Sequence, residues 1–279
     1  MRKSTKRWCI AALVLMLIGA IMVISSAKLG AATLVAWVDG EFKIGQETTI
    51  LEKSPVEAFH NIDIDLQSSN IEFIASDDYY IEFDECAGTL EYEVVDDTLT
   101  IGQKEKSVFM SMGFGFANNR KNTVRVYYPE ETTLNNISLE VDMGNLYIEE
   151  MNASSMEINC DMGNVEFEKC FAGEIIIEAD MGNVDLEEVS VDKIDVKADM
   201  GNVEISKIDL LEEGFVKCNM GNVEMSFEKP VESYEIYAKI DMGELLIDHE
   251  ECGSTYKSEG EIPLEITNDM GNIELYFAK

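Results

Sequence analysis

Histidine is nearly missing from this 279-residue chain, which has only His60 and His249. Neither stands in a serine or cysteine setting that marks a nucleophile, so a catalytic triad has no support. The six cysteines form no CxxC pair and no cluster with histidine, which argues against a thiolate or imidazole zinc site. Basic residues are scarce too: 21 Lys and Arg stand against 55 Asp and Glu. Five of the 21 (Arg2, Lys3, Lys6, Arg7 and Lys28) fall in the first 28 positions, leaving 16 basic against 55 acidic residues for the rest. Such a surface repels nucleic acid and leaves divalent cations and basic partners as what the charge would attract. Carboxylates of the kind used in paired-acid polysaccharide chemistry are plentiful, but their abundance singles out no pair, and no aromatic sugar platform stands out. The chain reads as a non-enzyme that needs no cofactor.

The one long apolar run lies at the amino terminus. Trp8 to Ala27 are 20 uncharged, mainly apolar residues behind a basic tail at 1–7. As a helix they span about 30 Å, one hydrocarbon core. The positive-inside rule places the tail in the cytoplasm and exports the rest, giving a single-pass cell-membrane protein. Ser25-Ser26-Ala27 would also suit a signal peptidase, in which case the product is secreted. The run exceeds the usual length of a signal-peptide core, which points to a retained anchor.

Beyond the anchor no segment shows convincing helical periodicity. Residues 28–57 have little pattern and read as a linker or stalk. From His60 onward come short alternating runs such as NIDIDL, NIEFIAS and YYIEFDE, which read as strands with one face buried. From about residue 137 a repeat takes over. DMGN occurs at 142–145, 161–164, 180–183 and 199–202, NMGN at 219–222, DMGE at 241–244 and DMGN at 269–272. Successive starts differ by 19, 19, 19, 20, 22 and 28 residues, as stacked rungs with growing loops would give. DLQSSNIEF at 65–73 looks like a degenerate earlier corner.

Phase sets the direction of the side chains. Met156, Ile158, Cys160 and Met162 alternate in one rung, and Ile175, Ile177, Ala179 and Met181 in the next. This predicts two strands per rung joined at Met-Gly-Asn, with Met facing the core and Asp facing out. A rung cannot bury its own inner face, but stacked rungs share a core. The expected fold is all-β, a parallel β-solenoid of about 19–20-residue rungs over residues 58–279, right-handed by the general crossover preference. Cys160 and Cys218 then share an inward position three rungs apart, about 14 Å and too far for a disulfide. Together with Cys170 they read as small core residues.

Two features are candidate sites. Asp142, Asp161, Asp180 and Asp199 would stack on one outer edge beside Asn145, Asn164, Asn183 and Asn202, a column of the hard oxygens calcium takes. The alternative is a purely structural corner, in which Asp and Asn accept turn hydrogen bonds; Asn219 and Glu244 break the pattern without visible compensation in the sequence. A second acidic column, Glu166, Asp185, Glu204 and Glu224, reads as a solvated face that also discourages lateral sheet association. The second candidate is the segment 107–122, which carries Phe109, Met110, Met112, Phe114 and Phe116 between Lys104, Lys106, Arg120 and Lys121. It suits either a membrane or partner contact or a cap over the open end of the core.

The anchor, the HNIDIDLQSSNIEFIASDD opening, the strand RVYYPEETTLNNISLEVDMGN and the recurrent Gly-Asn-Val-Glu corners together resemble the bacterial DUF4097 proteins over about residues 58–279. The resemblance implies a β-helical fold and exposure at the cell surface under an adhesin label. It implies for some members a place in cell-envelope-stress operons. It brings no catalytic or binding motif, and the regular Met is a departure from it. The expected function is adhesin-like binding of a surface ligand or an accessory role beside envelope proteins. The alternatives are a calcium-stabilised structural rod and a polysaccharide-active enzyme.

Overall fold

A computed structural model describes residues 48–103 and 122–279, together with the backbone of 35–38 and 41–44. The chain divides into two compact units, one of residues 1–47 and 106–120 and one of 48–105 and 121–279. In the first, Val35–Val38 and Glu41–Ile44 form a two-stranded antiparallel ribbon. The anchor expected at 8–27 and the side chains Phe109, Met110, Met112, Phe114 and Phe116 lie outside the described residues. Among the described residues no helix is long and apolar enough to cross a membrane.

The second unit is nearly all strand, and each regular repeat makes one turn about a common axis. In one such turn the long strand Asn152–Met162 runs to a corner at Gly163-Asn164, and the short strand Val165–Glu168 follows. The next rung starts at Phe171, in parallel register with Asn152. Long strands stack on long strands and short on short, as Met156↔Ile175↔Ile194 and Val165↔Val184↔Val203 show. The long strand is bent: Ala153 and Met156 are both buried while Ser154 and Ser155 between them are not, so the two-residue alternation slips once. The inward ladders (Ile158, Ile177, Val196 and Val216 in one) form a continuous apolar core. The expected all-β winding with parallel rungs is what the chain adopts.

Spatial order departs from chain order at both ends. Ile262–Met270 pairs with the far half of Val203–Met220 on one side and with Tyr234–Met242 on the other. Ile273–Phe277 likewise lies between Val223–Phe227 and Leu245–Ile247. The last rung in sequence is thus threaded between the two before it. At the other end Asn61–Leu66 lies between Thr98–Gln103 and Thr133–Met143, and Asn70–Ser76 between Thr123–Pro129 and Leu146–Glu149. Antiparallel strands then cover the exposed edges. Leu90–Val95 covers Thr98–Gln103, Tyr80–Ala87 covers Thr123–Pro129, and Thr255–Lys257 covers Tyr234–Met242. Thr48–Pro55, in the stretch expected to be stalk, pairs with Tyr80–Ala87. Covered edges of this kind oppose end-to-end growth.

The widening repeat spacings have separate causes. The 20-residue step is a register shift against the rung at 190–200, where Leu211 and Glu212 stand opposite the single residue Asp192. The 28-residue step holds the covering strands Glu250–Glu251 and Thr255–Lys257 that precede the threaded rung.

Candidate functional site

The repeated corner builds three columns on the outside of the molecule. Backbone register places Met143, Met162, Met181, Met200, Met220, Met270 and Met242 one above another. These side chains are 39–60% exposed. The expectation that they face the core is therefore corrected. The inward alternation ends one strand position earlier, at Cys160 and its equivalents, and the chain turns so sharply at glycine that Asp161 and Met162 both point outward.

The asparagine column is a continuous hydrogen-bond ladder. The Asn145 N–H donates to Asn70 Oδ1 at 2.9 Å, Asn164 to Asn145 at 3.0 Å, Asn183 to Asn164 at 3.0 Å and Asn202 to Asn183 at 2.9 Å. It continues through Asn222 and Asn272 and ends where the Glu244 N–H donates to Asn272 Oδ1 at 3.1 Å. This column accounts for two irregularities of the repeat. Asn70 confirms DLQSSNIEF as the first corner. Glu244 stands where asparagine is expected because the threaded rung makes it the last member, with no further N–H to receive.

The glycine is required by its neighbour. A Cβ on Gly163 would run into the carbonyl oxygen of Gly144, one on Gly182 into that of Gly163, and so on to Gly243 against Gly271. The thiols beneath the corners reach these carbonyls: Cys160 Sγ donates to Gly144 O at 3.7 Å and Cys218 Sγ to Gly201 O at 3.5 Å. Buried Asn268, in the same inward column, donates to Gly221 O at 2.8 Å. Burial pushes the thiols of Cys86, Cys160, Cys170 and Cys218 up to about 11, so they stay protonated and unreactive at neutral pH.

Asp142, Asp161, Asp180 and Asp199 fall on one outer edge, each beside its methionine. Asn219 continues the column and its Nδ2 donates to Asp199 Oδ1 at 2.6 Å, so the substitution does carry a compensating contact. Among the described residues no three His, Cys, Asp or Glu side chains are gathered as a metal-holding group. The amide oxygens beside the carboxylates are already occupied by the asparagine ladder.

The outer face of the short-strand sheet carries columns of carboxylates. Glu166, Asp185, Glu204, Glu224 and Glu274 form one column, and Glu149, Glu168 and Glu187 a second, in which Lys169 pairs with Glu168 at 2.7 Å and Lys207 with Glu187 at 3.4 Å. Burial and the neighbouring Asp185, Glu224 and Glu187 raise the Glu204 carboxyl above its ordinary range. The face changes character at one end. There Arg125 donates to Glu72 at 2.6 Å, to Glu82 at 3.1 Å and to Asp84 at 3.4 Å, and the Lys53 ammonium sits over the rings of Tyr127 and Tyr80. The neighbouring Lys53 and Arg125 patch was not singled out in the sequence, because its residues come from four separate strands. His60 Nδ1 lies 2.8 Å from Asp97 Oδ1, and its hydrogen bonds among the described residues include none to a serine or cysteine side chain.

The family model Toastrack DUF4097 matches residues 59–276. A solved "putative adhesin" from Bacteroides fragilis is similar at 12% identity, covering 82% of this chain and 97% of its own, with a TM-score of 0.47. A "putative cell adhesion protein" from Clostridium sporogenes is 15% identical over 85% and 100% of the two chains, with a TM-score of 0.34. A "putative lipid binding protein" from Parabacteroides distasonis is 14% identical over 87% and 98%, with a TM-score of 0.28. No curated protein matches the chain. With the family match covering residues 59–276, most of the sequence, the chain belongs to the Toastrack DUF4097 family.

Proposed function

We propose that this protein is a non-enzymatic binding scaffold, held at the outer side of the cell membrane by residues 8–27, that takes a basic surface or envelope ligand on its acidic sheet face. The observation that carries the reading is the carboxylate columns of the short-strand sheet, where burial first and the neighbouring carboxylates second make Glu204 hold its proton more tightly than usual. Like charges fixed about 4.8 Å apart on a rigid sheet are relieved when a cationic partner neutralises them. The neighbours named as adhesins and as a lipid-binding protein are consistent with binding at a surface. We take the winding as right-handed from the crossover preference.

The test uses the full chain in detergent micelles and a decalysine peptide as probe. Binding that weakens steeply with salt, and by at least tenfold in the variant Glu166→Gln/Asp185→Gln/Glu204→Gln/Glu224→Gln, supports the reading. Binding indifferent to the four substitutions removes the acidic face as the site.

A second reading, the calcium-stabilised rod, is favoured by the aligned column of Asp161, Asp180 and Asp199. It requires the melting temperature to rise with millimolar calcium and fall with chelator. A structural corner gives no response to either.

A further inference from the structure

The methionine column is not explained by the packing of the fold. The inward position two residues before each corner methionine varies along the stack, as Val141, Cys160, Ala179, Ala198, Cys218, Ile240 and Asn268. On the exposed side the acid varies to Asn219 and the asparagine to Glu244, yet the methionine is present in all seven Met-Gly corners, and only the earlier corner at 65–70 has Ser68 in its place. Shielding a corner from water needs only an apolar side chain, which leucine supplies with a better-defined shape. What methionine alone adds there is a thioether sulfur, a soft, uncharged ligand.

We propose that this column binds a soft monovalent cation of the copper(I) or silver(I) class through the thioethers of adjacent rungs. Parallel register sets successive methionine backbones about 4.8 Å apart. Each side chain is unbranched with three rotatable bonds, so two or three neighbouring sulfurs can turn onto one ion. Asp161 and Asp180 precede Met162 and Met181 in sequence and are exposed, so they put negative charge at the same corners, and the neighbouring asparagine oxygens are engaged in their own ladder. The thiols in these rungs, Cys160, Cys170 and Cys218, are buried and protonated, and the remaining thioethers, Met151, Met156 and Met225, are buried, which separates the exposed column from both. Binding exchanges water for thioether on the ion and involves no electron transfer.

The test is silver(I) titration of the full chain in detergent micelles, with bound metal counted by native mass spectrometry. It compares the wild type, the variant Met162→Leu/Met181→Leu/Met200→Leu and the buried control Met156→Leu/Met225→Leu. Circular dichroism checks that each retains its strand signal, which exposed Met-to-Leu changes should leave intact. The expected result is silver retained by the wild type and the buried control, with affinity at least tenfold weaker or one or more ions lost in the exposed triple variant. Excess calcium should displace none of it. The proposal is overturned if the wild type retains no silver or the triple variant matches it. It is also overturned if calcium displaces the ion, which would move the site to the aspartates.

Discussion

At Gly182 the backbone of one rung touches the next so closely that no side chain fits. The obstacle is the Gly163 carbonyl, and the φ of 153° adds strain for any other residue. Gly182→Ala should cost about 3 kcal/mol, because an added methyl here forces two rungs apart. Gly253 is the control: its φ is 71° but nothing lies within 4 Å of the missing Cβ. Gly253→Ala should cost about 1 kcal/mol from backbone strain alone. Urea denaturation of the two variants measures the difference, and equal losses would mean that the carbonyl approach is unimportant. Alternating hydrophobicity and a recurrent Gly made the corner legible in the sequence. It did not reveal that the methionine turns outward, because a period-two pattern cannot say at which residue a strand stops being a strand.

At the scale of the element, the short strands hold a column of stacked carboxylates at some cost in stability. The raised Glu204 carboxyl has a definite sign. A carboxyl with a folded value above its unfolded one favours the folded state when protonated, and that contribution is lost as pH rises through the folded value. Glu204→Gln should therefore melt at a higher temperature than the wild type at pH 7. The gap should close as the pH falls into the ordinary carboxylate range, where the wild type regains its proton. A gap that persists at low pH would place the effect in packing. Stacking of Glu166, Asp185, Glu204 and Glu224 was predictable from the 19-residue period. Glu274 joins that column only because its rung is threaded beside Val223–Phe227.

At the scale of the molecule, threading makes the rung of Ile262–Met270 and Ile273–Phe277 internal to the stack. A chain ending at Glu259 lacks the rung that joins Val203–Met220 and Val223–Phe227 to Tyr234–Met242 and Leu245–Ile247. Removing an outermost rung from a simple stack frays one repeat. Here the truncation should release everything after Phe227. Limited proteolysis should then cut throughout 228–259 while 133–220 stays resistant. Resistance up to residue 247 would show that the penultimate rung can dock without its threaded neighbour.

Composition and period determined the all-β class, the parallel rungs, the glycine corners and the columns of like residues. Each follows from local alternation repeated at a constant step, and identical steps can only superpose. Tertiary structure decided the order of the rungs at both ends, the covering strands that close the edges, and why Glu244 needs no asparagine. Those depend on which strands find each other across long stretches of chain, where hydrogen-bond pairing and edge protection choose the partner and local pattern carries no address.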